Sequence, residues 1–271
     1  MYGQKKAITF INKKHCKNGQ KDNMNISTND KKNNDLSLVE GYTEATSAKD
    51  LAVAVVLPFE VEKGEEYNIE QIGQVPKKPF YSFLKRFFDI LVSLICLSIL
   101  LVPFIIVAII IKCSSKGSVF YTQERLGTNG KKFKIIKFRT MHADAEKDGA
   151  RWSSGDNDKR IYKFGRVLRK TRFDELPQLF CCLIGTMSLV GPRPERECFY
   201  VEFEKYIHGF SQRQKVKPGI TGLAQVSGGY DLKPQEKVLL DIEYIKKRSI
   251  WLDIKIMFKT IAVIFNHKGA K

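Results

Sequence analysis

The chain has 271 residues and a formal net charge of +17, with 46 Lys and Arg against 29 Asp and Glu. That length allows one large domain or two modest ones with a buried core. Six cysteines without C-x-x-C spacing and four scattered histidines argue against a disulfide framework, a zinc knuckle and a histidine-based metal site.

The positive charge is concentrated in the C-terminal two thirds of the chain. Residues 1–80 hold 12 Lys and Arg against 11 Asp and Glu, whereas residues 81–271 hold 34 against 18. Such an excess predicts a polyanionic partner: nucleic acid, an anionic membrane surface or a phosphate-rich small molecule. Nucleic acid is disfavoured, because the sequence contains no recognised nucleic-acid-binding module.

The N-terminal part of the chain predicts an extension rather than a folded domain. Residues 1–50 are rich in Lys, Asn, Asp, Ser and Thr, lack apolar periodicity and contain no signal-peptide core, which is typical of a disordered tail. The apolar stretch 51–59 is too short to cross a bilayer and fits a strand or a docking segment. Residues 73–80 are typical of a linker, so we assign 1–79 to an extension and linker.

An uncharged stretch of 22 residues runs from Ile90 to Ile111. As a helix it would be about 33 Å long, enough to cross a bilayer, and it is too aliphatic for an ordinary core helix. Pro103 divides it and is expected to bend the axis. Because cations flank both ends, both ends are expected in the cytoplasm. We predict a re-entrant membrane helix over 80–113, with a kinked single span as the alternative.

Residues 114–271 predict one cytoplasmic domain, α/β in class and mostly helical. Strand-like residues on both sides of Thr128–Gly130 predict a small β-hairpin, and 156–185 predicts helix, turn, helix. Near the end, apolar residues at helical spacing predict either a core helix or a helix in the lipid headgroup plane. These residues are Ile250, Trp251, Ile254, Met257, Phe258, Ile261 and Phe265.

The stretch RKTRFDELPQLF, from Arg169 to Phe180, places two adjacent carboxylates directly after a cluster of cations. One interpretation is structural: Asp174 caps a helix that has proline in its first turn. The other is chemical. A carboxylate can attack phosphorus and divide a difficult transfer into two easier ones, provided that nearby cations neutralise the phosphates.

Several motifs in one order resemble the bacterial sugar transferases, also called monotopic phosphoglycosyl transferases, over about residues 80–265. They are FYTQERLGTNGKKFKIIKFRTM, LRKTRFDELPQL, MSLVGPRPE, KPGITGLAQVSG and LDIEYIKKRSIWLDIKIMFKT. The resemblance implies a membrane enzyme that transfers a sugar-1-phosphate from a UDP-sugar to polyprenol (undecaprenyl) phosphate, releases UMP and uses Mg²⁺. It also implies inner-membrane lipid as a partner, with the catalytic domain on the cytoplasmic face. The step would open exopolysaccharide, capsule, O-antigen or glycoprotein glycan assembly.

The same resemblance implies roles for individual residues. Asp174 corresponds to the covalent nucleophile and Glu175 to its partner, which helps to hold Mg²⁺. Arg169 matches a phosphate-contacting arginine. Arg193, held between two prolines in GPRP, belongs to the segment at the nucleotide and metal end.

Three further residues are candidates for substrate binding. Lys137 and Arg139 in KFRTM fit either a solvated edge strand or a phosphate cradle, and the sequence does not decide between them. Gln225 is expected near the nucleotide.

The chain departs from the family pattern at three positions. Gly229 stands where an arginine is common, so a phosphate contact is missing or comes from another residue. Thr186 replaces a frequent aspartate, and Val102 precedes Pro103 where small members often have serine.

Two alternative functions fit the sequence less well: a membrane-bound metal-dependent phosphohydrolase and a basic membrane-tethered binding module. The sequence does not decide the sugar, the pathway or whether the chain forms a homodimer.

Overall fold

The computed structural model describes residues 66–142, 145, 158, 160–229 and 232–265. Helices dominate this part of the chain, and its strands form three two-stranded sheets, so a mostly helical domain with small sheets is confirmed. The α-helices are α1 (Pro79–Ser114), α2 (Lys163–Lys170), α3 (Leu179–Ile184), α4 (Glu197–Glu204), α5 (Leu223–Ser227), α6 (Pro234–Lys247) and α7 (Ile250–Phe265). The strands are β1 (Tyr67–Asn68), β2 (Phe120–Leu126), β3 (Lys132–Phe138), β4 (Ser188–Val190), β5 (Ile207–His208) and β6 (Gly219–Thr221).

Helix α1 is the longest element, with 36 residues, or about 54 Å at the usual rise per residue. Proline at its first position suits the start of a helix, because the fixed φ is already helical. Among the described residues, it is the one helix long and apolar enough to cross a membrane. Pro103 lies inside α1, and the helix continues through it. The bend at Pro103 and the re-entrant course stay predictions.

The N-terminal half of α1 is attached to the domain by polar contacts. The Nζ atom of Lys85 lies 2.8 Å from the carboxylate of Asp253 in α7. The buried carboxylate of Asp89 accepts hydrogen bonds from Ser188 Oγ at 3.0 Å and from the backbone N–H of Leu189 at 2.9 Å. Buried carboxylates are stable only when such donors surround them, so these bonds fix this half of α1 against β4.

The C-terminal half of α1 is attached by apolar contacts. Ile111 is fully buried and forms a core with Phe138 and Leu168, and Phe104 packs against this core. The ring of Phe104 lies edge-on to Phe138 at 5.1 Å and to Phe173 at 5.8 Å between centroids. Because Phe173 directly precedes Asp174, this cluster connects α1 with the acid pair.

The predicted β-hairpin is confirmed. Strands β2 and β3 are antiparallel, with Phe120 opposite Phe138, and a 3₁₀ turn at Thr128–Gly130 joins them. Asn129 adopts the left-handed conformation, φ 54°, which asparagine tolerates better than most residues. Strand β3 buries Phe138 in the core, while Lys137, its neighbour, points to the opposite face of the strand.

Strands β4 and β6 pair in parallel and hold the GPRP segment in place. The backbone N–H of Gly191 donates to Thr221 O at 2.8 Å, and that of Gly219 donates to Pro192 O at 2.9 Å. A Cβ atom on Gly219 would lie 2.1 Å from the Gly191 nitrogen, so only glycine permits this approach. This sheet brings the segment that carries Arg193 next to the turn that leads to α5.

Part of the predicted extension packs on the domain that follows α1. Strand β1 pairs in parallel with β5, and Ile69 and Ile72 are buried. The backbone N–H of Ile72 donates to Gln212 Oε1 at 2.6 Å. The predicted tail and the stretch 51–59 lie outside the described residues, and the division of the chain at 79 and 113 stays a prediction.

The apolar side of helix α7, which carries Trp251 and Phe258, does not face the domain. Asp253 and Ile256 are buried, whereas Trp251 and Phe258 are 81% and 69% exposed. The apolar side therefore does not form the core of this domain, which agrees with the headgroup-plane alternative.

Candidate active site

The two carboxylates lie on a 3₁₀ turn, Phe173–Gln178, between α2 and α3. Arg172 precedes it in the left-handed conformation, φ 55° and ψ 17°, which is uncommon for a residue with a long side chain. Asp174 lies inside this turn and makes no capping hydrogen bond, so the interpretation of Asp174 as a helix cap is wrong. Both Asp174 and Glu175 are buried.

Glu175 is held between two cations from separate parts of the chain. Lys137 Nζ, from β3, donates to Glu175 Oε1 at 2.7 Å. The Arg193 guanidinium donates to both carboxylate oxygens, with Nη1 3.1 Å from Oε2. Burial alone would raise the pKa of Glu175, but the charges and hydrogen bonds of Arg193 and Lys137 outweigh it and hold that pKa well below its usual range. Glu175 is therefore ionised.

Asp174 has a different environment although it is the next residue. Within the residues that the structure describes, its carboxylate makes no hydrogen bond or ion pair. Burial and then the negative charge of Glu175 raise the pKa of Asp174 to about 6, while Lys137, Arg169 and Arg193 act against this shift. A carboxylate without hydrogen-bond donors retains its lone pairs for attack on an electrophile.

Arg169 and Arg139 contact Thr140 and Ser115 rather than the acid pair. Arg169 Nε donates to Thr140 Oγ1 at 2.8 Å, although its charge still acts on Asp174. Arg139 is buried and donates to the backbone oxygen of Ser115, just after α1, at 2.6 Å. Arg139 thus serves an internal contact here, and its predicted contact with phosphate has no support in this geometry. The roles of both arginines in substrate binding stay predictions.

A second feature, the cationic cleft, adjoins the acid pair through Arg193. It has an empty volume of about 480 Å³, open to solvent, and is lined by Arg172, Arg193, Arg213, Lys237, Gln225 and Gly229, together with Glu195 and Ala224. Gln225, on α5, was expected near the nucleotide and lies in this cleft with Arg193. Sequence reasoning did not single out Arg213 or Lys237, because they are far from the motifs of the acid pair and only the fold brings them to Arg193.

Comparison with known protein families identifies the family of this chain. The model of the family described as bacterial sugar transferase matches residues 80–267. This range contains the acid pair, the cations that hold it and the whole cationic cleft. The chain belongs to the bacterial sugar transferase family.

Individual relatives agree with this sugar transferase assignment. The chain is 41% identical over 212 residues to a UDP-N-acetylgalactosamine-undecaprenyl-phosphate N-acetylgalactosaminephosphotransferase of Aeromonas hydrophila, covering 77% of the chain and 50% of the relative. It is 38% identical over 216 residues to a UDP-glucose:undecaprenyl-phosphate glucose-1-phosphate transferase of Escherichia coli K12, covering 75% and 46%. It is 36% identical over 215 residues to the exopolysaccharide production protein ExoY of Rhizobium meliloti, covering 74% and 93%. The match thus spans about half of the first two relatives.

The positions where this sugar transferase departs from the family pattern have distinct surroundings. Gly229 lines the cationic cleft in the left-handed conformation, φ 57°. Thr186 Oγ1 donates to Cys181 O at 3.2 Å after α3, which is a structural contact. Val102 is 63% exposed on α1. The missing arginine at 229 is therefore the departure that lies at the candidate site.

The acid pair fits a magnesium ion only in part. Within the described residues, no cluster of three or more His, Cys, Asp or Glu side chains could hold a metal. Mg²⁺ is commonly bound by one or two carboxylates together with substrate phosphates and water. Asp174 and Glu175 can supply these one or two carboxylate ligands. Arg193 and Lys137 leave one lone pair of Glu175 Oε2 without a hydrogen bond, so Glu175 can still bind a cation.

Proposed function

We propose that this protein transfers a sugar-1-phosphate from a UDP-sugar to polyprenol phosphate and releases UMP. The observation that carries the proposal is the contrast between two adjacent buried acids: Glu175 is fixed by Lys137 and Arg193, while Asp174 has no hydrogen-bond donor among the described residues. One acid is thus held in place and the other is available to react. The relatives named as undecaprenyl-phosphate sugar-phosphate transferases support the same reaction.

The reaction we propose has two displacements at phosphorus. In the first, a carboxylate oxygen of Asp174 attacks the phosphorus that bears the sugar, and the bond to the bridging oxygen breaks, so UMP leaves with that oxygen. In the second, a phosphate oxygen of polyprenol phosphate attacks the same phosphorus and the bond to Asp174 breaks. The carboxylate is regenerated, and the product is a polyprenol diphosphate sugar.

The residues around the acid pair supply positioning and charge. Glu175 holds the guanidinium of Arg193 and the ammonium of Lys137 in fixed positions beside Asp174. Preorganised cations of this kind stabilise the charge that develops on a transferring phosphoryl group. We also propose that Glu175 and Asp174 hold Mg²⁺ together with donor phosphates; when bound, the ion neutralises phosphate charge.

The test of the nucleophile uses the full-length protein in nanodiscs. Asp174→Asn is expected to lower UMP release by roughly a thousandfold or more and to abolish the mass-detected phosphosugar adduct formed with donor alone. Glu175→Gln, the matched variant, still forms the adduct but turns over more slowly. An Asp174→Asn variant with near-native turnover would exclude the mechanism, and UMP release at full rate without polyprenol phosphate would indicate a hydrolase instead.

We further propose that α1 is re-entrant and seats the domain on the cytoplasmic face of the membrane. The domain contacts α1 at Ser93, which is buried, and again at Phe104. The ten residues between them rise only about 15 Å, whereas the hydrocarbon core is about 30 Å thick. The outer surface of α1 exposes a long row of apolar side chains: Phe80, Phe83, Phe87, Leu91, Leu94, Ile95, Ile99, Val102, Ile105, Ile106 and Ile109.

Single cysteines introduced at Lys77 and Lys116, in a variant without native cysteines, test the course of α1. In inside-out membrane vesicles, both positions are expected to react with a membrane-impermeant maleimide, and in intact spheroplasts neither. Labelling of one position in each preparation would show a single span.

A further inference from the structure

Two charged side chains on one face of α1, Arg86 and Asp89, contact the domain. They are three residues apart, which places them on the same side of a helix. Asp89 is buried and Arg86 is half-buried, whereas the neighbouring Phe83 and Phe87 are exposed. The charged side of this part of α1 is therefore held against protein, and we call Arg86 and Asp89 the anchor residues.

Arg86 binds the C-terminal end of α3. Its guanidinium donates to the backbone oxygen of Cys182 from Nη1 at 2.6 Å and to that of Leu183 from Nη2 at 2.8 Å. The last carbonyl groups of a helix carry partial negative charge, so a cation is favourable there. A Cβ atom on Gly185, just after α3, would lie 3.2 Å from the guanidinium carbon, so glycine leaves room for this contact. Arg86 thus fixes α3, the helix that continues directly from the turn with the two acids.

Asp89 binds the start of β4, the strand that leads to Arg193. The hydrogen bonds from Ser188 Oγ and from the backbone N–H of Leu189 end on the same carboxylate oxygen, Oδ1. Strand β4 ends at Val190, and Arg193 follows three residues later. Hydrogen bonds to an ionised group are short and strong, so Asp89 fixes the strand from which the Arg193 segment extends.

The two anchor residues therefore hold the two halves of one loop of the chain. The loop begins at Glu175 and ends at Arg193, 18 positions later, and the ion pair between these two residues closes it. Its first half contains α3 and its second half contains β4. Because Arg86 and Asp89 lie in a single turn of α1, this helix sets the distance between the halves.

We propose that Arg86 and Asp89 are positioning residues for the transfer reaction, which hold Glu175 and Arg193 in place beside Asp174. The inference rests on the proposed function. Within the described residues, the hydrogen bonds of both anchors go to α3 and β4 rather than to the acids, so they act through the backbone of the loop. Preorganised groups stabilise a transition state only while the surrounding structure holds them in position. The membrane helix is thus part of the framework of the site.

A neighbouring contact of α1 offers a matched comparison. Lys85 pairs with Asp253 at 2.8 Å, and the two side chains are 16% and 10% exposed. This pair attaches α1 to α7, which carries neither acid nor Arg193. If polar contacts of α1 only stabilise the fold, losing the Lys85 contact and losing an anchor have the same consequence. If the anchors position the site, only their loss slows the reaction.

The test measures kcat of the full-length protein in nanodiscs, at a temperature at which every variant is folded. Arg86→Met removes both donors, and Asp89→Leu keeps the size of the side chain but removes the acceptor. We expect kcat to fall about tenfold in each, within the roughly hundredfold cost of a 1 Å misplacement. Asp89→Asn retains an oxygen that accepts both hydrogen bonds and is expected to keep the native kcat. Lys85→Met lowers the melting temperature and leaves kcat unchanged.

A double-mutant cycle separates positioning from general stabilisation. In the Arg193→Met background, Arg86→Met is expected to lower kcat much less than in the native background, because the contact that Arg86 keeps in place is already lost. An anchor that only stabilises the fold would lower kcat by the same factor in both backgrounds. Arg86→Lys keeps the charge and one donor, and repeats the cycle if Arg86→Met does not fold.

Hydrogen–deuterium exchange is a second measurement that does not depend on activity. Asp89→Leu is expected to speed exchange over residues 173–193, and Lys85→Met over α7 instead. Native kcat in both anchor variants, an equal factor in both backgrounds, or unchanged exchange over 173–193 would overturn the inference. If the native protein releases UMP under these outcomes, only this inference fails. If it never releases UMP, the proposed function fails, while the exchange experiment still decides whether the anchors hold the loop.

Discussion

The two sides of Arg193 differ in how positive charge is neutralised. On one side Arg193 and Lys137 meet the carboxylate of Glu175, which is supplied by the chain. On the other side, in the cationic cleft, the lining cations exceed the lining carboxylates. Glu175 is thus matched by cations of the chain, whereas the lining of the cleft is predominantly cationic.

This difference also explains why buried charge is stable on each side. Near Asp174, cations outweigh the cost of burying Glu175 as an anion. In the cleft, the buried Arg213 is matched by the carboxylate of Asp241. We therefore expect substitutions near the acid pair to change turnover and folding stability, and substitutions in the cleft to change mainly nucleotide affinity.

Among the cation substitutions considered, Arg193→Met is expected to lower activity most, because Arg193 both contacts Glu175 and lines the cationic cleft. The variant loses one of the two cations that hold Glu175 and one of those that line the cleft. We expect kcat/KM for the UDP-sugar to fall about a hundredfold, as for the loss of one preorganised donor. Both kcat and UMP affinity, by isothermal titration calorimetry, should fall.

The control for Arg193→Met is Arg125→Met. Arg125 is a nearby, largely buried arginine that pairs with Glu195, two residues after Arg193. It contacts neither acid of the pair, so we expect a loss of less than about tenfold. A fall in kcat of Arg193→Met without any change in UMP affinity would show that Arg193 does not join the two sides.

The sequence predicted the acid side of this comparison better than the cleft side. The motifs that contain Asp174, Glu175, Arg193 and Lys137 were identified, and the fold brings all four together. Lys237 was missed, since a lysine on an amphipathic helix usually faces solvent, and nothing in local spacing shows that α6 packs beside α5.

Helix α7 shows a similar limit in the prediction of the fold. Helical spacing correctly predicted a helix over 250–265, but not which side it turns to the domain. Asp253 is buried because Lys85 from α1 pairs with it, whereas Trp251 is exposed. A period of 3.6 residues identifies an apolar side and does not distinguish contact with protein from contact with lipid.

The pH dependence of folding stability is expected to differ between Asp174 and Glu175, although this effect is smaller. The folded-state pKa of Asp174, about 6, lies above the value of 3.8 for an unperturbed aspartate. Between these values the native state binds more protons than the unfolded state, so stability falls as pH rises through this window. At pH 7.5, with divalent ions chelated, Asp174→Asn should therefore melt a few degrees higher than the native protein, and the gain should vanish near pH 4.

Glu175→Gln is expected to shift the melting temperature in the opposite direction to Asp174→Asn. The folded-state pKa of Glu175 is lowered. Ionised Glu175 therefore stabilises the fold at pH values above its unfolded-state pKa, and this stabilisation is lost as the pH falls through its folded-state pKa. Glu175→Gln should thus melt lower than the native protein at pH 7.5, and the difference should shrink in acid. Melting curves by circular dichroism from pH 4 to 8 measure both variants. If both shift in the same direction at pH 7.5, the two acids do not have the separate environments on which the assignment of Asp174 as the nucleophile depends.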